Sequence, residues 1–335
     1  MRRAHNGLAM DAPPLRYLSA ADVAACLPGG DERVELAATA LVALANDGAE
    51  MPPKIGVHPR PGALLHAMPA WLRATDLVGM KWVSAFPDNK RLGLPAISGL
   101  IVLNDPESGL PTWVLDAATI TAHRTAAVSG VAMRLFAPPR RARVCVIGAG
   151  VQARSHLDLI SELLPRASVT VHDRSPGKAA ALADEYDGRA EMQVEAANDV
   201  REAVGTANIV LTAATLQKDG AFIEPDWLAP DALVVAIDFA SCVTAEVALT
   251  AERFVTDDRG QYLAYRESGY FNGYPAAVET LGETIAARGL AAEDADGDTG
   301  RVLVSHLGVG LADVVFADAI ARRAAQSGLG VELAR

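Results

Sequence analysis

The sequence RVCVIGAGVQA, residues 143–153, joins an apolar β-type run to a helical pattern through a glycine-rich turn. Gly148 permits the tight turn, Gly150 lets a ligand's phosphates approach the backbone, and the small Ala153 lets the helix pack closely on the strand. This G-x-G-x-x-A spacing between a strand and a helix predicts a Rossmann-type dinucleotide site, with the phosphates at the helix N-terminus. A purely structural glycine turn is the alternative.

The residues that follow the turn indicate which dinucleotide would bind. Val151 and Gln152 begin the predicted helix and would lie beside the phosphates. Asp173 ends the next predicted strand, 25 residues after Gly148, where a carboxylate can bind the adenosine ribose hydroxyls and would repel a 2′-phosphate. Arg174 favours the opposite choice, because a guanidinium binds a phosphate well. We therefore expect NAD as the cofactor, with NADP as the alternative.

Strand and helix patterns alternate beyond the turn, which predicts a parallel, doubly wound sheet. Apolar runs favour strands at 143–147, 168–172, 209–212, 233–238 and 253–256, and helices near 151–164, 176–186 and 200–204. Ligands of such sheets bind at the carboxyl ends of the strands. Thr212, Ala213 and Asp238 lie at the ends of the third and fourth of these strands, and we assign them to the cofactor site.

The residues before the turn have a different pattern. Helical patterns over 35–45 and 119–136 bracket short apolar runs separated by Pro, Gly, Asn and Asp, which predict a mostly antiparallel sheet. A chain of 335 residues suits two domains. The predicted fold class is therefore α/β, a Rossmann doubly wound parallel sheet preceded by an N-terminal α+β domain.

The composition excludes several classes of function. The 30 Lys and Arg against 41 Asp and Glu give a net charge of −11 without a basic cluster, so nucleic acid is not an expected partner. No apolar run approaches the roughly 18 residues that cross a bilayer, and the N-terminus lacks the apolar stretch of a signal peptide. The three cysteines form no C-x-x-C pair, and the acidic stretch 291–300 lacks the spacing of a calcium loop. We expect a cytoplasmic protein with no membrane partner and no metal site.

Short motifs across the N-terminal half carry a family resemblance: MPPK at 51–54, HAMPA at 66–70, GMKWV at 79–83, GLP at 93–95, DA at 116–117 and TAHRTAA at 121–127. Together with the glycine turn they resemble the ornithine cyclodeaminase/mu-crystallin family over nearly the whole chain. That family includes ornithine and lysine cyclodeaminases, an archaeal-type alanine dehydrogenase, ketimine and pyrroline-carboxylate reductases, and the thyroid-hormone-binding mu-crystallin.

The resemblance implies a domain organisation and a partner. Residues 1–124 would form the domain for substrate binding and dimerisation, and residues 125–310 the Rossmann domain for the dinucleotide. The C-terminal helix, within 311–335, would return to the first domain. The implied partners are a small carboxylate-bearing substrate and a second copy of the chain in a homodimer.

The same resemblance assigns the residues that bind the substrate. Lys54, Lys81 and Arg124 would receive its carboxylate, because an arginine fork donates two parallel hydrogen bonds and lysine ammonium groups add charge beside the nicotinamide. The alternative is that both lysines lie on solvated strand faces and Arg124 pairs on a helix. The segment with His306 and Gly308 resembles the family's nicotinamide side, so we assign Gly308 to the cofactor and place His306 as a candidate lining residue.

Two positions depart from the family pattern. His66 stands where the cyclodeaminases have a glutamate that resembles a clamp for the substrate's distal amine, and a mostly neutral imidazole binds an ammonium poorly. Ala240 stands where the family has an aspartate after the fourth Rossmann strand. Asp238, two residues earlier, is either a replacement catalytic acid or a plain strand-end residue. The proton for a reduction would come from His66, Asp238 or water.

These departures favour an NAD(P)-dependent oxidoreductase that reduces a small α-imino or cyclic imino acid, or oxidises the amino acid. A cyclodeaminase-type lyase that recycles bound NAD⁺ is the alternative, although it must hold a second amine. A protein that binds a dinucleotide and a carboxylated ligand without chemistry is the third reading. The aromatic-rich stretch 256–275 is either a lid over the site or a surface loop packed by its own rings.

Overall fold

The computed structural model describes residues 13–216, 220–276, 278–290 and 300–334. Nearly all of the acidic stretch 291–300, for which no calcium loop is expected, lies outside these residues. Within the described ranges, no helix has both the length and the apolar character needed to span a membrane. The same ranges hold no group of three or more His, Cys, Asp or Glu side chains placed to bind a metal ion.

The first part of the described chain forms strands and helices as follows: β1 (Leu15–Leu18), α1 (Ala20–Ala25), α2 (Gly30–Ala45), β2 (Ala49–Glu50), β3 (Ile55–Arg60), β4 (Ala63–Leu72), β5 (Leu77–Ala85), β6 (Ile97–Asn104), β7 (Pro111–Asp116) and α3 (Ala118–Phe136). Local chemistry explains some of these bounds. Ser19 and Asp22 form a capping box that starts α1. The helical pattern predicted over 119–136 corresponds to α3.

The second part continues with β8 (Arg143–Ile147), α4 (Val151–Leu163), β9 (Ser168–His172), α5 (Pro176–Tyr186), β10 (Gln193–Ala196), α6 (Val200–Thr206), β11 (Ile209–Thr212), β12 (Leu233–Ala236), α7 (Ala245–Thr250), β13 (Arg253–Thr256), α8 (Arg259–Glu267), β14 (Glu279–Thr280), α9 (Leu281–Arg288), β15 (Val302–Ser305), α10 (Gly310–Ser327) and β16 (Val331–Leu333). The strand predicted over 233–238 ends at Ala236, so Asp238 lies in the loop beyond it.

The strands form two sheets of eight described strands each. The first has the order β16-β1-β7-β6-β5-β4-β2, with β3 also paired to β4, and its pairs are antiparallel except β1 with β7. The second has the order β10-β9-β8-β11-β12-β15-β13-β14, and all its pairs are parallel. The predicted fold class, a doubly wound parallel sheet preceded by a mostly antiparallel one, is confirmed.

Strand register brings the predicted substrate residues onto one face of the first sheet. Met68 on β4 is opposite Lys81 on β5, and His66 is opposite Val83. Alternate residues of a strand share a face, so these four side chains point to the same side. The N-terminal part of α10 covers that side, because a Cβ added at Gly310 would lie 2.9 Å from the Met68 carbonyl oxygen.

The C-terminal elements return to the first sheet. α10 packs against β4, β5 and β6, and β16 pairs with β1. α3 contacts both α2 and α4, and so connects the two parts of the molecule. We propose the division into residues 1–124 with 311–335 and residues 125–310 on this basis, with the boundary at 124/125 falling inside α3.

Candidate active site

Two cations and a carboxylate form the buried centre of the candidate site. Lys81 Nζ lies 2.6 Å from one oxygen of Asp313, and Arg124 Nε donates to the other oxygen at 3.0 Å. The three side chains come from β5, α3 and the first turn of α10, and none is more than 7% exposed. A carboxylate in the first turn of a helix is also stabilised by the helix dipole. The sheet, the long helix and the returning helix therefore meet at a paired charge cluster.

Burial lowers the pKa of both lysines of the site, and neighbouring cations add to the shift. Burial lowers the pKa of Lys81 from 10.5 to about 7, with Arg124 adding to the shift and Asp313 opposing it. Burial, followed by the charge of Arg124, lowers the pKa of Lys54 from 10.5 to about 8. Both lysines therefore exchange protons near neutral pH, and an anion bound between them would favour their charged forms.

Lys54 lies at the half-buried outer edge of the cluster. Its ammonium donates to the Leu307 carbonyl and lies 5.5 Å from the centre of the Tyr265 ring. Asp257, itself 1% exposed, accepts from the backbone N–H groups of Leu307 at 2.9 Å and Gly308 at 2.6 Å. Asp257 therefore fixes the loop that holds Lys54 in place.

Gly308 provides the space that the Arg124 guanidinium occupies. Its φ of +84° lies in the left-handed region, and a Cβ at this position would lie 2.4 Å from Arg124 Nη1. Nη1 is buried and has no hydrogen-bond partner among the residues that the structure describes. The structure thus brings Gly308, which the sequence assigns to the cofactor, against the predicted carboxylate-binding arginine, and one guanidinium donor is left for a ligand.

We expect Gly308→Ala to lower the free energy of unfolding and to displace the guanidinium. Gly328 is a matched control, because it has a left-handed φ of +67° but no atom within 4 Å of an added Cβ. Both variants carry the backbone cost of roughly 1 kcal/mol, and Gly308→Ala should lose about 1–3 kcal/mol more through overpacking. Urea unfolding measures the difference, and equal losses for the two variants would contradict the contact.

His66 lies half-buried on β4 beside the two lysines. Its ring centre is 6.3 Å from that of His58. Burial, and then the charges of Lys54, His58 and Lys81, lower its pKa from 6.5 to about 4. The imidazole is therefore neutral at pH 7 and provides no charge to hold a distal ammonium. Its role as proton donor stays a prediction. An imidazole with this pKa is almost entirely unprotonated near neutral pH and is therefore a weak candidate for a general acid.

The glycine turn has the geometry of a phosphate-binding loop. Gly148 has φ +110°, and a Cβ there would lie 2.5 Å from the Ala213 carbonyl oxygen. The backbone after β8 and the backbone after β11 therefore approach each other so closely that only glycine fits at position 148. Gly150 has nothing within 4 Å of an added Cβ. Gly150 also precedes α4 without a side-chain cap, and Val151 is 68% exposed. The first N–H groups of α4 therefore face open space, where an anion can reach them.

Asp173 and Arg174 lie beside this turn as the sequence predicts for a ribose-binding position. One oxygen of Asp173 accepts from the Ala149 N–H at 3.0 Å and the other from the Ser175 N–H at 2.8 Å. The carboxylate thus ties β9 to the middle of the turn, and Arg174 is exposed next to it. A carboxylate favours the ribose hydroxyls and a guanidinium favours a 2′-phosphate, so the choice between NAD and NADP stays open.

Asp238 has a bonded, buried carboxylate outside the cationic cluster. Its oxygens accept from the Thr212 hydroxyl at 2.7 Å and from the Ala214 N–H at 3.0 Å, and it is 1% exposed. Burial raises its pKa, while the bonds from Thr212 and Cys242 oppose the shift. These bonds join the ends of β11 and β12, which favours the strand-end interpretation over that of a catalytic acid. Thr212 and Ala213 lie at the same sheet edge as Gly148.

The predicted lid region packs largely on itself. Within this stretch, the Tyr262 ring lies 5.0 Å from that of Phe271, the Tyr265 ring 5.6 Å from Tyr270, and the Phe271 ring 5.4 Å from Tyr274. Phe239, which follows β12, packs its ring on the same cluster. These contacts favour a stretch packed by its own rings over a lid, although part of it is the helix α8 and not a loop. The Tyr265 ring also reaches Lys54 at the edge of the site.

Sequence reasoning assigned no role to several residues that the structure places here. Sequence patterns do not single out Asp313, and they include Asp257 only within the aromatic-rich stretch 256–275. Both are buried carboxylates in an acidic chain, so the sequence offers no signal that separates them from surface aspartates. A buried trio, Ser129, His156 and His306, connects α3, α4 and the end of β15. Of these, the sequence singled out only His306.

Fold and site together define a class of α/β protein in which a Rossmann-type glycine turn accompanies a buried cationic cluster from a second, mostly antiparallel sheet. The model of the ornithine cyclodeaminase/mu-crystallin family matches residues 19–326. The chain therefore belongs to this family, and the resemblance seen in its motifs is confirmed.

Individual relatives agree with this assignment. The chain is similar to the nodulation efficiency protein NfeD of Rhizobium meliloti, with 33% identity over 319 residues, 95% of this chain and 98% of that protein. It is similar to the ketimine reductase mu-crystallin of Mus musculus, with 32% identity over 57% of this chain and 60% of the mouse protein. The fold is similar to that of Thermococcus litoralis Delta(1)-pyrroline-2-carboxylate reductase in complex with NADH and L-proline, with a TM-score of 0.82, 24% identity, and 95% of this chain and 100% of that chain covered.

Proposed function

We propose that this protein is an NAD(P)-dependent oxidoreductase acting on a small α-imino acid, a cyclic imino acid or the corresponding amino acid. The observation that carries the proposal is the buried Arg124, whose Nη1 has no partner among the described residues and which lies beside Lys81 and Lys54. An organic carboxylate would accept a hydrogen bond from this unpaired buried donor and would balance the positive charge of the cluster.

The residues of the glycine turn fit a dinucleotide. The open space at Gly150 admits a pyrophosphate, and the uncapped N-terminus of α4 supplies N–H donors to it. Asp173 and Arg174 are the residues that would hold the adenosine ribose. When bound, the nicotinamide supplies or accepts the hydride.

The chain's own residues would position the substrate and control its surroundings. Arg124 and Lys81 would fix the carboxylate, so that the imino carbon is held in one orientation. Asp313 holds both cations at a fixed separation and balances part of their charge. Their burial keeps the carboxylate contacts away from water, which strengthens them.

The same site argues against a cyclodeaminase. A cyclodeaminase holds a second, cationic amine, yet His66 is neutral at pH 7, because its pKa is about 4, and Ala240 has no carboxylate. The lyase remains the alternative reading, and a protein that binds its ligands without chemistry is the third.

A substrate screen separates these readings. Amino acids and cyclic imino acids are incubated with NAD(H) and with NADP(H), and the nicotinamide absorbance is followed. An oxidoreductase gives a lasting, stoichiometric change with one cofactor pair. A cyclodeaminase instead releases ammonia with catalytic NAD⁺ and no lasting change. Tight cofactor binding without turnover of any compound would support the non-catalytic reading and contradict the proposal.

The two lysines give the site a defined pH dependence. Each lysine is charged below its pKa, so the affinity for an anion should fall as pH rises through about 7 for Lys81 and about 8 for Lys54. We expect the affinity for propionate, which stays anionic throughout, to drop roughly tenfold for each lysine that loses its charge, or about 100-fold from pH 6.5 to pH 9. Calorimetry with NAD⁺ present measures it. Lys81→Met should remove the fall in propionate affinity near pH 7. An affinity of the native protein that does not change with pH would contradict the assignment of the two lysines to the anion site.

We also propose a homodimer formed through the first sheet. Apolar side chains are exposed on its strands: Ile55, Val57, Trp82, Ile97 and Leu100. Trp82 and Leu100 are cross-strand partners on the face opposite Lys81, so this face is free for a second copy. Analytical ultracentrifugation should give a dimer for the native chain and a monomer for Trp82→Glu, and a monomeric native chain would contradict it.

A further inference from the structure

A continuous chain of hydrogen bonds runs from the glycine-turn helix to the end of β15. His156 Nδ1 lies 2.6 Å from the Gln152 carbonyl oxygen. Ser129 Oγ lies 2.8 Å from His156 Nε2 and 2.8 Å from His306 Nε2. Ser129 is 0% exposed, and the two imidazoles are 1% exposed. None of these contacts involves Lys81, Arg124 or Asp313, the residues of the cationic cluster.

The direction of each hydrogen bond in this chain follows from elementary chemistry. A carbonyl oxygen only accepts, so the proton of neutral His156 is on Nδ1 and its Nε2 is an acceptor. The Ser129 hydroxyl has one proton and donates it to that Nε2. Ser129 Oγ must then accept from His306 Nε2, which places the proton of His306 on Nε2 and leaves Nδ1 as a bare acceptor.

The surroundings keep both imidazoles neutral. Burial lowers the pKa of His156 to about 4. Burial, together with the neighbouring His156, Arg124 and Lys54, lowers the pKa of His306 well below 6.5. Protonating His306 would add a positive charge in a buried region that already contains Arg124 and Lys54, so the tautomer deduced from the hydrogen bonds persists at neutral pH.

The outer nitrogen of His306 is an acceptor without a donor. His306 Nδ1 is buried and has no hydrogen-bond partner among the described residues. A buried acceptor left unpaired costs stability. Arg124, whose charge acts on His306, has in its Nη1 a buried donor that is also unpaired among the described residues. Bound ligands that together supply a carboxylate and an N–H group could satisfy both atoms.

We propose that His306 Nδ1 is the preset acceptor for an N–H donor of the bound ligands, and that Ser129 and His156 are positioning residues that fix its tautomer. The inference rests on the proposed function. An N–H donor of this kind is present in the nicotinamide carboxamide and in the amino or imino nitrogen of the substrate. A histidine held in the opposite tautomer would present a proton there and repel either donor.

The tautomers can be measured in the free protein by nitrogen NMR. Long-range ¹H–¹⁵N spectra of ¹⁵N-histidine-labelled protein distinguish a bare ring nitrogen from a protonated one. We expect a protonated Nδ1 in His156 and a protonated Nε2 in His306, with His156→Gln and His306→Gln used for assignment. A His306 proton on Nδ1 would overturn the proposal whether or not the protein is an oxidoreductase.

Ligand titrations identify the donor. A shift of the His306 Nδ1 resonance with NAD⁺ alone assigns the carboxamide. A shift that appears only when the amino acid found by the substrate screen is added to the NAD⁺ complex assigns the substrate nitrogen. An unmoved Nδ1 resonance in a complex saturated with both, as verified by calorimetry, overturns the proposal. Failure of NAD⁺ to bind at all contradicts the proposed function instead, and the tautomer measurement still decides the hydrogen-bond chain.

Ser129→Ala tests the positioning role. Losing the hydroxyl should leave His306 in a mixture of tautomers and raise KM for the ligand that supplies the N–H roughly tenfold. Ser161 is a matched control, because its buried hydroxyl donates to the Asp158 carbonyl within α4. Ser161→Ala should leave the imidazole spectra unchanged. A single His306 tautomer in Ser129→Ala would show that the serine does not fix it and would contradict this role.

Discussion

Arg124→Ala is expected to lower kcat/KM about 100- to 1000-fold while the chain stays folded. Arg124 contributes the unpaired Nη1 to the site and also bonds Asp313. Its removal leaves a substrate carboxylate without its charged donor in a buried cluster, a loss of about 3–4 kcal/mol of transition-state stabilisation. Asp313 keeps its ion pair with Lys81, so the remaining charges are still balanced. Steady-state kinetics with the substrate found by the screen measures the effect.

Arg134 provides the control for this substitution. It lies on the same helix, α3, and pairs with Asp31 and Glu35 at the surface. Arg134→Ala should change kcat/KM less than twofold, since exposed ion pairs contribute little. Arg124→Lys should recover part of the activity, because lysine restores the positive charge but cannot donate two parallel hydrogen bonds to a carboxylate. Unchanged kcat/KM in Arg124→Ala would remove this residue from the proposed site.

Asp313→Asn is expected to destabilise the fold by about 3–5 kcal/mol, the usual cost of breaking a buried ion pair on one side. The amide matches the carboxylate in size but leaves Lys81 and Arg124 without their shared counter-charge. The pKa of Lys81 should fall further, because Asp313 opposes the lowering caused by burial. In both chains a neutral Lys81 in the folded state is opposed by a protonated lysine in the unfolded state, but in the variant this cost begins at a lower pH than the native pKa of about 7. The difference from the native chain should therefore shrink as pH rises through about 7 and level off above it.

Asp318→Asn on the same helix separates this effect from a general change in α10. Asp318 pairs with Arg322 one turn away, at the exposed side of the helix. Its loss should cost less than about 0.5 kcal/mol. Urea unfolding at several pH values measures both variants. Similar losses for Asp313→Asn and Asp318→Asn would mean that the buried cluster contributes nothing special to stability.

Much of the fold follows from local patterns in the sequence. The run ending at Ile147 and the turn from Gly148 contain the strand, the special backbone conformation and the helix start, so the parallel sheet could be predicted. β15 was missed, because Val302–Ser305 is a short apolar run of four residues without the alternation that marks a strand. Its position between β12 and β13 depends on chain crossovers that no local pattern encodes.

The candidate site was predicted where motifs carry it and missed where only folding brings residues together. Lys81 and Arg124 lie in recognisable motifs. Asp313 bonds Arg124 across 189 positions, and His306 bonds Ser129 across 177. Partners so distant are set by the return of α10 and β15 to α3, so a single sequence contains no spacing that reveals them.

A crystal structure with NAD⁺ and propionate bound tests the proposed site most directly. We predict the nicotinamide ring beside the cationic cluster, with the propionate carboxylate bonded to Arg124 Nη1 and close to Lys81 Nζ. A carboxylate bound elsewhere, or a nicotinamide ring remote from Lys81 and Arg124, would contradict the proposed function.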